Sequence, residues 1–310
     1  MISIIIVGRN DNYGGDFEDR LFATVSYNIA ELRRRNISFE LVFVEWNPIS
    51  DRPLLSSKIV DRFEEARCVV VDEMVHGFIS QNKHIKVFEY HAKNVGAYHA
   101  LGDWLLLTNP DNYFGRDIFD FLETGQFESE SFYRAGWVNI DDQSGVDAAG
   151  SHDRYVDSKP PFFHAAGDFI LCSKKLFDRV GGFREDLAFT NTHKDSVLCL
   201  SFFDITTNVR KIGNTFHLRH ERDDASNRRI RFDWTKVKRV PQSTYGHADL
   251  CISNSVAPRV ERLSLKEELQ LAARKKKPVN PVIPMKYRKE RGWIKSVRRL
   301  ARGPFNRQDP

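Results

Sequence analysis

The run Lys93-Asn94-Val95-Gly96-Ala97 is followed by Leu105-Leu106-Leu107 and then at once by Thr108-Asn109-Pro110-Asp111-Asn112. A buried strand that ends in amide and acidic side chains beside a proline turn is where an open α/β sheet delivers polar groups to a ligand cleft. Read alone, Asn-Pro-Asp is equally a turn that caps the next element, and Asn94 a helix cap, although that reading leaves Lys93 without a task. Further along, His193-Lys194-Asp195 supplies an acid, and His217-Leu218-Arg219-His220 supplies two imidazoles.

The elements that must position these groups follow from periodicity. Residues 4–7 are a continuous β-branched run suited to a strand covered on both faces, and they empty into the polar loop Gly8-Arg9-Asn10-Asp11-Asn12-Tyr13-Gly14-Gly15. Asp16 is a plausible cap for a helix in which Phe17, Leu21, Val25, Ile29 and Leu32 recur at helical spacing. Strands are expected at 39–44, ending at Glu45, and at 68–71, 85–88 and 104–107, with a helix at 94–101 between the last two. Alternating strands and helices imply an α/β fold with a mostly parallel sheet. The second half adds strands at 132–140, 168–172 and 215–220 and helices at 174–180 and 196–203, the former stopped by Gly181-Gly182. If 215–220 is extended, His217 and Arg219 share a face and His220 points away, so only one imidazole is expected at any common site.

Composition narrows the class. No apolar run approaches the roughly 20 residues of a membrane-spanning helix, and 4–7 is too short for a signal-peptide core. Cys68, Cys172, Cys199 and Cys251 form no CxxC pair, which favours small buried thiols and a cytoplasmic protein over a zinc cluster or a disulfide framework. Residues 271–310 hold thirteen Lys/Arg against Glu290 and Asp309, a net +11, leaving 34 basic and 40 acidic residues, a net −6, in residues 1–270. A mildly acidic body argues against a nucleic-acid groove. In the tail, Trp293, Ile294, Val297 and Leu300 fall on one side of a basic helix at 291–302. Such a helix suits an anionic membrane surface, or alternatively docking on the body or on a second subunit in a homodimer.

The order of these features resembles the family 2 glycosyltransferases over residues 1–225. It comprises a first strand ending in a polar loop, a second strand ending in an acid, Lys93-Asn94-x-Gly96-Ala97, Leu-Leu-Leu-Thr-Asn109-Pro110-Asp111, then Gly181-Gly182-Phe183-Arg184-Glu185 and His193-Lys194-Asp195. The resemblance implies a GT-A (Rossmann-like) fold, a mixed, mostly parallel sheet flanked by helices. Residues 1–115 would be its nucleotide-sugar half, 116–225 its acceptor and catalytic half, and 226–310 a C-terminal extension. The implied activity is sugar transfer with inversion from a UDP-, dTDP- or GDP-linked donor to a glycan or lipid-linked acceptor, in polysaccharide or glycolipid synthesis.

The same resemblance assigns roles. Asn109 and Asp111 stand where the family holds a divalent cation, Mn²⁺ or Mg²⁺, that neutralises the departing diphosphate. His217 or His220 would complete the metal shell. Gly8, Arg9, Asn10, Asp11 and Glu45 would meet the nucleoside, and Lys93 and Asn94 the phosphates. Gly167 and Asp168 would lie against the sugars, as would Glu185 and Asp186, which are also rivals for the base. Asp195 would be the general base that takes the acceptor's proton. Two other classes compete: a sugar-nucleotide pyrophosphorylase, which would need a Gly-rich phosphate loop in place of Gly8-Arg9-Asn10, and a catalytically silent binding protein, suggested by Asn109 and Lys194 standing where the family has acids.

Overall fold

The computed structural model describes residues 1–148, 168–221, 232–280 and 283–287. In chain order these form β1 (Ile2–Gly8), α1 (Phe17–Arg34), β2 (Phe39–Trp46), α2 (Leu55–Arg62), β3 (Ala66–Val71), α3 (Glu73–Ile79), α4 (Glu89–His99), β4 (Trp104–Thr108) and β5 (Asn112–Phe114). They continue as α5 (Arg116–Thr124), β6 (Phe132–Ile140), β7 (Phe169–Ser173), α6 (Lys174–Val180), α7 (Lys194–Phe203), β8 (Val209–Leu218), β9 (Cys251–Ala257), β10 (Val260–Leu265) and α8 (Glu267–Lys275).

One ten-stranded sheet runs β5-β8-β6-β7-β4-β1-β2-β3-β10-β9. The stretch from β4 through β1, β2 and β3 to β10 is parallel, whereas β7 pairs antiparallel with both β4 and β6. The mixed α/β architecture expected from the sequence is therefore present. Alternation on β1 explains its unbroken apolar run: Ile2, Ile4 and Ile6 pack with Phe17, Leu21, Val25 and Ile29 of α1, while Ile5 and Val7 pack with residues of α4 on the other face. Gly96 lets α4 lie this close, since a Cβ there would come within 2.5 Å of Ile5.

Two expectations change. Residues 85–88 form no strand; α4 begins at Glu89, and Asn94 sits inside it rather than capping it. β8 ends at Leu218, so His220 lies beyond the strand and escapes its alternation. Residues 251–265 join the sheet: β10 pairs parallel with β3, in the register Val260 to Cys68, and β9 forms the outer edge. The four cysteines are buried and unpaired. No helix among the described residues is long and apolar enough to cross a membrane. The helix expected at 291–302 lies outside the described residues.

Candidate active site

The apolar stripe of α1 is accompanied by a second buried stripe, Arg20, Thr24 and Asn28, spaced four residues apart. Thr24 Oγ1 donates to the carbonyl of Pro110 at 2.5 Å. Asn28 Nδ2 donates to the carbonyl of Asn112 at 2.9 Å, and Asn28 Oδ1 accepts from the amide of Phe114 at 2.9 Å. The chain is thus fastened on both sides of Asp111. The amide of Leu218 donates to the carbonyl of Asp111 at 2.9 Å, bringing the end of β8 alongside.

Asp111, His217 and His220 converge. Nε2 of His217 lies 3.4 Å, and Nε2 of His220 3.2 Å, from Asp111 Oδ2, and one ligand atom from each residue falls within 4.8 Å of the others. The outer nitrogens decide what the inner ones can do. Nδ1 of His220 faces the carbonyl of Glu221 at 2.8 Å, and Nδ1 of His217 faces Oδ1 of Asn139 at 3.2 Å. A ring that donates through Nδ1 presents a bare Nε2, and two such lone pairs aimed at a carboxylate are repulsive unless a cation or added protons lie among them. Burial opposes the Asp111 charge, but with protons on those Nε2 atoms the hydrogen bonds from His217 and His220 and their proximity outweigh it and hold the carboxyl well below the usual range. Asp111 Oδ1 is buried without a partner among the described residues. The set fits a divalent cation, and both imidazoles belong to it, contrary to the strand-alternation expectation.

Asn109 does not join that set. Its Oδ1 accepts from Lys93 Nζ at 2.8 Å, and its Nδ2 donates to Asp168 Oδ1 at 2.6 Å. Lys93 is wholly buried and also bonds Glu89 at 2.7 Å, one helical turn back. The result is a polar line Glu89–Lys93–Asn109–Asp168 lying beside the metal-competent trio. Asp168 is fixed further by its carbonyl, which accepts from Thr108 Oγ1 at 2.8 Å and Asn112 Nδ2 at 3.1 Å. Burial pushes its carboxyl up to about 6, against the pull of His217 and Lys93.

Several residues expected at the ligand are engaged with the scaffold. Asn94 Nδ2 donates to the carbonyl of Phe183 and to Glu185, both at 2.8 Å, and Oδ1 accepts from the amide of Phe183, so Asn94 clasps the Gly-Gly turn. Glu45 is fully buried and accepts from the amides of Leu55 and Ser56 at 3.0 and 2.8 Å, which makes it the acidic anchor of the α2 N-terminus. Asn10 holds the loop after β2, donating to the carbonyl of Ile49 and accepting from its amide. Gly8 makes room for packing, since a Cβ would meet the rings of Phe43 and Phe17. Arg9 and Asp11 pair at 2.7 Å on the partly exposed rim, where Arg9 also donates to the carbonyl of Asn47. Gly167 lies outside the described residues.

Of the three carboxylates considered as the base, Glu185 accepts from the amide of Gly246 at 2.7 Å and lies 3.3 Å from His247, and Asp186 bonds Arg184 and the hydroxyl of Tyr287. Asp195, in the first turn of α7, is half-buried and has no hydrogen bond or ion pair among the described residues. Burial raises the Tyr90 phenol well above its ordinary value, and the charges of Asp195, Glu89 and Asp168 add to the effect.

Sequence reasoning missed Arg20, Tyr13, Glu89 and Asn139. Arg20 donates to the carbonyls of Tyr13 and Gly14 and pairs with Asp16, holding the loop after β1 over His220, whose ring lies 5.2 Å from Tyr13. The available signal was the polar i, i+4, i+8 stripe of α1, which runs beside the apolar one.

No family model and no curated protein matches this chain. Among solved structures it is similar to the catalytic domain of Drosophila β1,4-galactosyltransferase 7 in complex with xylobiose, at 11% identity and a TM-score of 0.45, covering 87% of this chain and 96% of that one. It is also similar to glucosyl-3-phosphoglycerate synthase from Mycobacterium tuberculosis in complex with Mg²⁺ and uridine diphosphate, at 12% identity and 0.45, covering 91% and 89%. The galactosyltransferase LgtC with donor and acceptor sugar analogues is similar at 13% identity and 0.35, covering 67% and 72%.

Proposed function

We propose that the protein is a glycosyltransferase that moves a sugar, with inversion, from a nucleoside diphosphate sugar to an acceptor hydroxyl. The observation that carries this reading is the convergence of Asp111, His217 and His220 beside the polar line ending at Asp168. Asp111, His217 and His220 would hold the divalent cation, Mn²⁺ or Mg²⁺, which when bound offsets the charge that builds on a departing diphosphate. Asp168 would hold sugar hydroxyls. Asp195 accepts the acceptor's proton. Arg9 and Asp11, at the end of β1, face the nucleoside.

Incubating the full chain with UDP-, dTDP- and GDP-sugars, with and without Mn²⁺, tests this. Release of nucleoside diphosphate that requires the metal and disappears in Asp111→Ala supports it, whereas binding without turnover of any donor leaves a silent sugar-nucleotide-binding protein. The basic composition of residues 271–310 favours work at an anionic cytoplasmic membrane face on a lipid-linked acceptor, each nearby Lys/Arg contributing about 1 kcal/mol. Co-sedimentation with phosphatidylglycerol vesicles at low salt tests that placement, and a chain that stays in the supernatant removes it.

A further inference from the structure

Away from the metal-competent trio, four segments bring titratable groups into one buried seam: His91 of α4, Glu185 after the Gly-Gly turn, Lys194 at the start of α7 and His247 in the loop before β9. Glu185 lies 3.3 Å from His247 Nδ1. His247 Nε2 and His91 Nδ1 share a hydrogen bond at 3.1 Å. His91 Nε2 is buried and unpartnered among the described residues. Lys194 Nζ is likewise buried and unpartnered; it sits 5.3 Å from the ring centre of Phe88, which in turn lies 5.0 Å from the His91 ring.

The surroundings disfavour a charge on that amine. Burial lowers Lys194 to about 7, against the pull of Glu185, Asp186 and Glu89. Burial, with Lys194, His247 and His76 adding to it, drives His91 well below its ordinary value. It also lowers His247, in the face of Glu185 and Asp249. A buried ammonium without a hydrogen-bond partner is costly, and giving up the proton removes the cost.

We propose that Lys194 is a positioning residue: its buried amine seats the first turn of α7 against Phe88, beside the His91–His247 pair, and so places Asp195, and uptake of a proton unseats that turn. Its functional consequence rests on the role given to Asp195 above; the seam rests on geometry.

Amide hydrogen exchange on the full chain, corrected for intrinsic rates and read from pD 5.8 to 8.5, tests the seam without substrate. The reporters are the α7 amides from Val197 onward, beginning with the one that bonds the carbonyl of His193 at 3.0 Å. In the wild type, protection should rise about tenfold or more as the amine loses its proton. It should be independent of pD in Lys194→Met and low throughout in Lys194→Arg. Flat protection in the wild type, or an unchanged pD dependence in Lys194→Met, overturns the proposal. Side-chain NMR of ¹³Cε-lysine protein covers a variant that fails to fold: one lysine should titrate near neutrality, and all lysines titrating above pH 9 also overturns it. A chain that passes the exchange test but turns over no donor refutes the proposed function alone. An active chain with flat exchange refutes the seam alone.

Discussion

The amide nitrogen of Asn109 lies 2.6 Å from a carboxylate oxygen of Asp168, and its amide oxygen is held by the buried ammonium of Lys93. Asn109→Asp therefore replaces a donor with a second acceptor facing Asp168. The expected result is a loss of about 1–3 kcal/mol on urea denaturation at pH 7, the cost of unsatisfied buried groups, with a smaller loss at pH 5, where Asp168 protonates more readily. Equal losses at both pH values would refute the contact.

Asp111→Ala, His217→Ala and His220→Ala each remove one donor of the candidate metal set. All three should lose the Mn²⁺-induced rise in melting temperature shown by the wild type, because a cation that binds only the folded state stabilises it by mass action. A variant that keeps the full rise identifies a residue outside the shell.

Asp195→Asn should retain donor binding by calorimetry and lose roughly 10²–10⁴-fold in transfer, the range for a positioned general base. A normal rate would move the role to another carboxylate.

His76 supplies the pH prediction. Its ring is partly buried, accepts from Trp46 Nε1 at 3.0 Å, and is lowered to about 4, chiefly by burial and then by Arg9 and Lys86. The unfolded ring binds its proton near 6.5, so between these values the unfolded state holds more protons and stability falls as pH drops through the window. The contribution present above 6.5 is about 3 kcal/mol, lost progressively towards pH 4. His76→Gln should flatten that part of the stability profile, which urea titrations at half-unit intervals would show.

Asn28→Ala strips both the carbonyl of Asn112 and the amide of Phe114 of a partner. The expected cost is about 2–4 kcal/mol from two buried groups, together with weakened Mn²⁺ binding as Asp111 loses its brace. Full metal affinity in a folded Asn28→Ala would show that the α1 stripe is stability alone.

The sequence was most legible where covalent pattern and environment coincide. The β-branched run of β1, the apolar stripe of α1 and the glycines after α6 each announce a local conformation; Gly181 and Gly182 adopt φ of 72° and 66°. Asp111 and the histidines were visible as chemistry, but their meeting was not, because His220 acts from beyond the strand end. Lys93, Asn94 and Asn109 carried the right residue types and misled in part, since a polar side chain at a strand end can serve either a ligand or a neighbouring backbone. Only the partner atoms tell these apart, and those lie dozens of residues away.

The pairing of β10 with β3 orders events in time as well as in space. Leu41 to Trp46 of β2 cover one edge of β3 with residues made early, whereas its other edge waits for Val260 to Leu263. On the ribosome the N-terminal half therefore carries an open row of backbone donors and acceptors, flanked by apolar Val69 and Val71, until nearly the whole sheet-forming sequence has emerged. Fragments ending near residue 225 would inherit that open edge permanently, and should associate through it rather than behave as a smaller version of the full chain.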